Sequence, residues 1–260
     1  MQLKDSVAII TGSSSGIGRA IAIAFAQQGC HIAINYSRND AGAKEVAEAC
    51  EQYGVNTLVM KANVAEDQDC QNLVKATVDK FGKLNILINN AGTTKFCDHG
   101  NLNGLDRQDF LNIYSVNTVG AFQMVRAAEP ALRQQEIAHI INMASIAAIT
   151  GVGSSIAYAA SKGAMLTMTM SLARVLGPQI RINAICPGFV QGEWLEQGLG
   201  KETYQKMLDK AKGIAPLNDT ATPERIAETA VGVVTGMDWT TGESIIIDGG
   251  SHLQTAPLRR

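Results

Sequence analysis

Seven short runs of apolar, largely β-branched residues punctuate the chain: Val7–Ile10, His31–Asn35, Thr57–Met60, Leu84–Ile88, His139–Asn142, Arg181–Ile185 and Ser244–Ile247. They are continuous rather than alternating, and that constrains the fold more than any other feature. A strand apolar on both faces must be covered on both faces, which is the condition of a parallel sheet wrapped by helices. The intervening segments supply the helices: Gly16–Gln28, Ala41–Tyr53, Asp67–Phe81 and Pro223–Val234 carry apolar residues at helical spacing. The expected fold is α/β, a doubly wound parallel sheet with helices on both faces. No Pro- or Ser-rich linker and no internal repeat divides the 260 residues, and a 46% apolar content supports one large shared core, so residues 1–260 form a single domain.

Two further helical segments, Asp109–Leu132 and Ser155–Leu176, are apolar on more than one face; the second includes Met165, Leu166, Met168, Met170, Leu172, Val175 and Leu176. One sheet covers only one side of a helix, so the remainder is expected to meet another subunit or to be sunk deeply in the core. The formal net charge of −2, with no basic block before the terminal Arg259–Arg260 pair, argues against a nucleic-acid partner. Five scattered cysteines without a C-x-x-C pair suit free thiols in a reducing compartment. No uninterrupted apolar span is long enough to cross a membrane, and the opening MQLKDSVAIITG lacks a signal-peptide apolar region, so the cytoplasm is expected. His31, His99, His139 and His252 are widely separated, and no metal site is indicated.

After the first strand comes TGSSSGIG, Thr11–Gly18, and then a helix. Gly12, Gly16 and Gly18 let the backbone turn and approach a pyrophosphate, whose charge the helix N-terminus stabilises. Strand, glycine loop and helix in that order predict a dinucleotide site. In such sites an acid about 20 residues on binds the adenosine ribose, whereas a basic residue accommodates a 2′-phosphate. Here the second strand ends Asn35-Tyr36-Ser37-Arg38-Asn39, with no carboxylate before Asp40. Arg38 with Ser37 therefore favours NADP(H), NAD(H) remaining possible.

The same chain carries Asn89–Gly92 (NNAG), Asn117, Ser145, the Tyr158-x-x-x-Lys162 pair, Pro187–Gly188 and a closing TGESIIIDGG at Thr241–Gly250. Together with TGSSSGIG, and in this order, these motifs resemble a one-domain short-chain dehydrogenase/reductase, similar to 3-oxoacyl-[acyl-carrier-protein] reductases and glucose dehydrogenases. The resemblance implies a Rossmann-type fold, a homotetramer and a catalytic set of Asn117, Ser145, Tyr158 and Lys162. Tyr158 would be the general acid/base and Ser145 would hydrogen-bond the substrate oxygen. Lys162 would lower the tyrosine pKa and bind the nicotinamide ribose, and Asn117 would hold a water that links the lysine to solvent. The implied cofactor-binding set is Gly12, Ser14, Ser15, Gly16, Ile17, Gly18, Ser37, Arg38, Asn63, Val64, Asn90, Ala91, Gly92, Tyr158, Lys162, Pro187, Gly188 and Val190. As a family feature, Asn89 also ties neighbouring strands together.

Elementary electrostatics points the same way. Residues four apart on a helix share a face about 5–6 Å apart. A free phenol, with a pKa of about 10, is a poor proton donor near neutrality. An ammonium about 4 Å away, at an effective dielectric of about 20, attracts the phenolate by roughly 4 kcal/mol, a ceiling of some 3 pKa units. Ser145 lies just beyond a strand's carboxyl end, where α/β sheets build their sites. The expected reaction is hydride transfer between nicotinamide and a carbonyl or alcohol carbon, with Tyr158 handling the proton.

Two positions depart from the family pattern: Asn63-Val64 replaces the usual aspartate-valine, and Gly192 stands where a threonine is common. The segment at about 190–216 lies where the family has its substrate lid, and it mixes Trp194, Leu195, Leu199, Tyr204, Met207 and Leu208 with glycines. Substrate contacts are expected from Ser145, Tyr158, Phe189 and Trp194, with Ile146–Val152 adding apolar wall. Lys95 and His99 at the opposite rim are candidates to meet an acyl-carrier phosphate. Such a pocket suits a 3-oxoacyl thioester, a keto ester, a cyclic ketone or a steroid better than a free sugar. The alternatives are an NAD-dependent alcohol, sugar or steroid dehydrogenase working oxidatively, a non-catalytic dinucleotide sensor, and a methyltransferase, which would lack the Tyr–Lys pair.

Overall fold

The structure is a computed structural model that describes residues 1–253; the terminal Arg259–Arg260 pair lies outside them. Seven parallel strands form one sheet: β1 (Val7–Ile10), β2 (His31–Tyr36), β3 (Thr57–Lys61), β4 (Ile86–Asn89), β5 (Ala138–Met143), β6 (Ile180–Pro187) and β7 (Ser244–Ile247). Their order is β3-β2-β1-β4-β5-β6-β7. The chain runs outward from β1 in one direction and then restarts beside it at β4. The reversal between β1 and β4 opens a crevice at the strands' carboxyl ends, where ligands of such sheets bind.

Both faces are covered, as the continuous apolar strands require. Helices α1 (Gly16–Gln27), α2 (Asp40–Glu51) and, further along the chain, residues Pro223–Gly236 lie on one face. Phe25, Ile21, Val46, Ile226 and Val233 pack there against Ile10, Ile34 and Ile88. Helix α3 (Asp67–Phe81) and residues Ala121–Leu132 cover the other face, where Leu73, Met124 and Leu132 meet Ile9, Leu87 and Ile140. Burying a side chain of this size contributes about 1.5–3 kcal/mol.

One expected helix is present but changes its winding midway. In place of a single helix over Asp109–Leu132 the chain forms α4 (Arg107–Tyr114), a π-helical turn at Ser115–Gly120 and α5 (Ala121–Leu132). The wide turn sits where the backbone passes Val64: a Cβ on Gly120 would lie 2.8 Å from the Val64 carbonyl oxygen. After β5 come a short α6 (Ala147–Thr150) and the long α7 (Ile156–Leu176), started by a Ser155 side chain that accepts from the Tyr158 N–H. Beyond β6 lie α8 (Glu193–Leu199), α9 (Lys201–Ile214) and α10 (Pro223–Gly236), the last capped by Thr222 with Pro223 at its first position.

Candidate active site

The glycine loop is held from beneath by side chains at the ends of three strands. Thr11 Oγ1 donates to the Ile88 carbonyl (3.2 Å) and accepts from the Asn90 and Ala91 N–H groups (2.9 and 3.0 Å). Asn90 Nδ2 returns to the Thr11 and Gly12 carbonyls (2.9 and 3.1 Å). Buried Asn35 accepts the Gly12 N–H (3.1 Å) and donates to the Ala62 carbonyl (3.0 Å), while Ser13 pairs with its backbone. Gly12 adopts φ +62, and a Cβ there would stand 2.9 Å from Ala91 Cα. A Cβ on Gly18 would fall 2.5 Å from Asn90 Nδ2 and 2.6 Å from the Gly12 carbonyl oxygen.

Above this frame Ser15 and Gly16 are exposed and Ser14 and Ile17 half-buried. Ser15 is the N-cap of α1, yet its side chain makes no capping bond. The first-turn N–H groups of α1 are thus left for an anion, and the loop fits a dinucleotide pyrophosphate. Asn35, Ser13 and Thr11 were not among the expected cofactor residues. Their signal in the sequence is a polar side chain closing an apolar strand, which at Asn35 reads equally well as the strand's end.

At the rim, Ser37 and Arg38 are exposed, and Arg38 forms no ion pair among the described residues. Asp40 is engaged elsewhere: it accepts from Tyr36 (2.5 Å) and pairs with Lys44 (2.6 Å). The lysine and the tyrosine, in that order, pull its carboxyl below the usual range. Asn63 Oδ1 accepts from the Ala65 N–H (3.2 Å), a local turn, and Val64 is buried against Gly120. Gly92 lies where a Cβ would be 3.8 Å from Lys162 Nζ. Pro187 is buried, Gly188 abuts Asp248, and Val190 bridges to Ala221.

Tyr158 and Lys162 lie one turn apart on α7, and Ser145 stands between β5 and α6. The Ser145 hydroxyl is the neighbour that favours the ionised form of the Tyr158 phenol. Ser145 Oγ also accepts from the Ala147 N–H (3.1 Å), which fixes its rotamer. Lys162 is 4% exposed; its Nζ donates to the Met143 carbonyl (2.6 Å) and stands 5.7 Å from the Tyr158 ring centroid. Burial lowers the lysine pKa to about 8, against a small opposing influence of Cys186. The tyrosine differs from expectation. Burial raises its pKa, and the influence that lowers it is Ser145, not the ammonium. The physical reason is direction: Lys162 points at a backbone carbonyl and lies over the ring rather than beside the hydroxyl.

Asn117 occupies the π turn and is fully buried. Its Oδ1 accepts from the Thr93 N–H (2.8 Å), and its Nδ2 donates to the Thr93 carbonyl and to Ser161 Oγ (both 3.0 Å). Ser161 in turn donates to the Tyr158 carbonyl (2.7 Å). The side chain therefore ties the loop after β4 to α7. Asn89 donates to Asn142 (2.9 Å), joining β4 to β5, and Asn142 donates to Thr169 (2.8 Å) on α7.

Around the tyrosine the walls are aromatic. Trp194 on α8 lies 6.3 Å from the Tyr158 ring and 5.6 Å from Phe96, and Phe189 lies 6.0 Å from Tyr204. Lys95 and His99 are otherwise engaged: Lys95 pairs with Asp109 (2.6 Å), and His99 Nε2 is bonded to the Gly153 carbonyl (3.1 Å). Their proposed service to an acyl-carrier phosphate is not favoured by these contacts.

A protein-family profile described as enoyl-(acyl carrier protein) reductase matches residues 12–252. The granaticin polyketide synthase ketoacyl reductase 2 of Streptomyces violaceoruber is 34% identical over 247 residues, covering 95% of this chain and 96% of that one. The 3-oxoacyl-[acyl-carrier-protein] reductase FabG of Staphylococcus aureus is 31% identical over 248 residues, covering 95% and 98%. Among solved structures, a short-chain dehydrogenase/reductase from Burkholderia xenovorans superposes with a TM-score of 0.89 at 38% identity, over 96% of this chain and 98% of that one.

Proposed function

Because this chain belongs to the short-chain dehydrogenase/reductase family, we propose that it reduces a ketone to a secondary alcohol with NADP(H), on a 3-oxoacyl or other largely apolar keto substrate. The family-level statement is plain: this is an oxidoreductase of CH–OH and C=O groups on an NAD(P)-binding fold. The observation that carries the finer reading is the grouping of Tyr158 and buried Lys162 on α7, the ammonium 5.7 Å from the phenol ring, with Ser145 just beyond the carboxyl end of β5. Two hydroxyls converging on one point can hold a carbonyl oxygen, and the more acidic of them, the phenol, can pass it a proton.

Each residue then has a task. Ser145, locked by Ala147, orients the substrate oxygen. Tyr158 donates the proton as the oxygen gains charge. Lys162 places a cation behind the tyrosine and faces Gly92 on the coenzyme side, and Asn117 holds α7 in register with the loop after β4. The nicotinamide, when bound, supplies the hydride. Exposed Arg38 favours the 2′-phosphate of NADP(H), and the ketoacyl-reductase relatives support a keto substrate. Free thiols at Cys30, Cys50, Cys70, Cys97 and Cys186 accord with a cytoplasmic setting.

A panel of ketones and alcohols, followed by nicotinamide absorbance with each coenzyme, tests the proposal. Ketone-dependent oxidation of NADPH is expected. Tyr158→Phe should lower kcat by about 10²–10⁴-fold while coenzyme still binds. A Phe variant with near-normal kcat would remove the tyrosine from the chemistry.

A further inference from the structure

Aromatic residues are scarce in this chain, 5% of the total, yet five of them surround one place. Phe96 from the loop after β4, Tyr158 from α7, Phe189 after β6, Trp194 from α8 and Tyr204 from α9 form three tilted pairings around the candidate site. Phe96 belongs to none of the expected sets. Its ring presses directly on the backbone of α8, so closely that Gly198 has no room for a side chain. Tyr204 accepts the Gly192 N–H (3.3 Å) at the start of α8 and so fastens its other end. The helix is thereby seated with Trp194 between Phe96 and Tyr158, half of the indole remaining exposed.

We propose that Phe96 and Trp194 form an aromatic roof over Tyr158 that selects substrates bearing a flat ring next to the reacting carbonyl. The inference rests on the reductase reading of the same site and names its substrate class: aryl or ring-bearing ketones and keto esters. The reasoning is geometric. A substrate whose carbonyl oxygen meets the Tyr158 hydroxyl brings its flanking group towards the indole, which stands 6.3 Å from the tyrosine ring. A planar ring meets that face in offset or tilted contact, as the site's own rings do. A flexible alkyl chain of equal carbon number makes less contact with a flat wall and loses rotamer freedom on binding. A polyol would bring hydroxyls against rings that offer them no strong partner.

The test compares two β-keto esters that differ in one group, phenyl or hexyl, at the reacting carbonyl. The wild-type protein is expected to favour the phenyl ester in kcat/KM by about tenfold. Trp194→Ala should erase the preference, Trp194→Phe should keep most of it, and Phe96→Ala, which unseats the indole, should reduce it. Binding is read separately. In a Trp239→Phe background with oxidised coenzyme present, Trp194 is the sole indole, and the phenyl ester should quench its fluorescence more strongly than the hexyl ester. Turnover of both esters without a phenyl preference, or a preference that survives Trp194→Ala, would overturn the roof while leaving the reductase reading standing. Selective quenching without turnover of any ketone would do the reverse.

Discussion

Lys162 has the most consequential electrostatics of any residue in the site. It is buried, has one carbonyl partner, and titrates at about 8 because burial disfavours its charge. As pH rises through about 8 the free protein loses that cation, so coenzyme affinity is expected to weaken over the same interval. Binding titrations from about one unit below that midpoint to about two units above it check this, and Lys162→Met should flatten the profile. Arg38 is the opposite case, exposed and unpaired in ions among the described residues. Arg38→Asp should shift the ratio of kcat/KM values from NADPH towards NADH by about tenfold or more, since one charge near a phosphate is replaced by its opposite. Equal use of both coenzymes by the parent protein would defeat the NADP(H) assignment.

Neighbouring strands β5 and β6 carry a pH-dependent stability term far from the reaction. His139 and Arg181 are register partners, both buried, with an Arg181 Nη2 to His139 Nδ1 distance of 3.0 Å. Arg181 also donates to the Thr240 carbonyl (2.8 Å) and to that of Met237, anchoring the connection between α10 and β7. Burial, and then the guanidinium, depress the histidine pKa from 6.5 to about 3. Below 6.5 the unfolded chain takes up a proton that the native chain refuses. Stability is therefore fully present above 6.5 and lost as pH falls to about 3, by at most on the order of 5 kcal/mol. Denaturant melts at stepped pH should show this slope, and His139→Gln should lose it. The helix that changes its winding is the other lesson at this scale. Its apolar pattern runs unbroken across residues 109–132 and carries no sign of the π turn, in which Gly120 passes close to Val64 and Asn117 reaches Thr93 and Ser161.

At the scale of the whole molecule, α4 and α7 pack side by side, and Phe110, Leu111, Val119, Phe122, Met170 and Val175 stand exposed along α4, the π turn, α5 and α7. Both segments were expected to bury more than one face. A second copy of this chain is the proposed cover, since the same apolar surface on each copy is self-complementary. Phe122→Glu with Met170→Glu should lower the mass measured by light scattering to that of a smaller assembly, whereas an unchanged mass would refute the cover. The sequence by itself determined the sheet, its parallel covering and the strands Val7–Ile10 and Ser244–Ile247 to the residue, because a continuous apolar run has only one way to be buried on two sides. It also marked Tyr158, Lys162 and Ser145, whose types and order are local signals. Tertiary structure alone decided what these groups touch. The ammonium came to lie over the phenol ring with Met143 as its hydrogen-bond partner, Asn35 and Thr11 became the struts of the glycine loop, and Phe96 came to support Trp194. Each of these depends on residues far apart in the chain meeting at one point, and spacing along a sequence carries no record of such a distance.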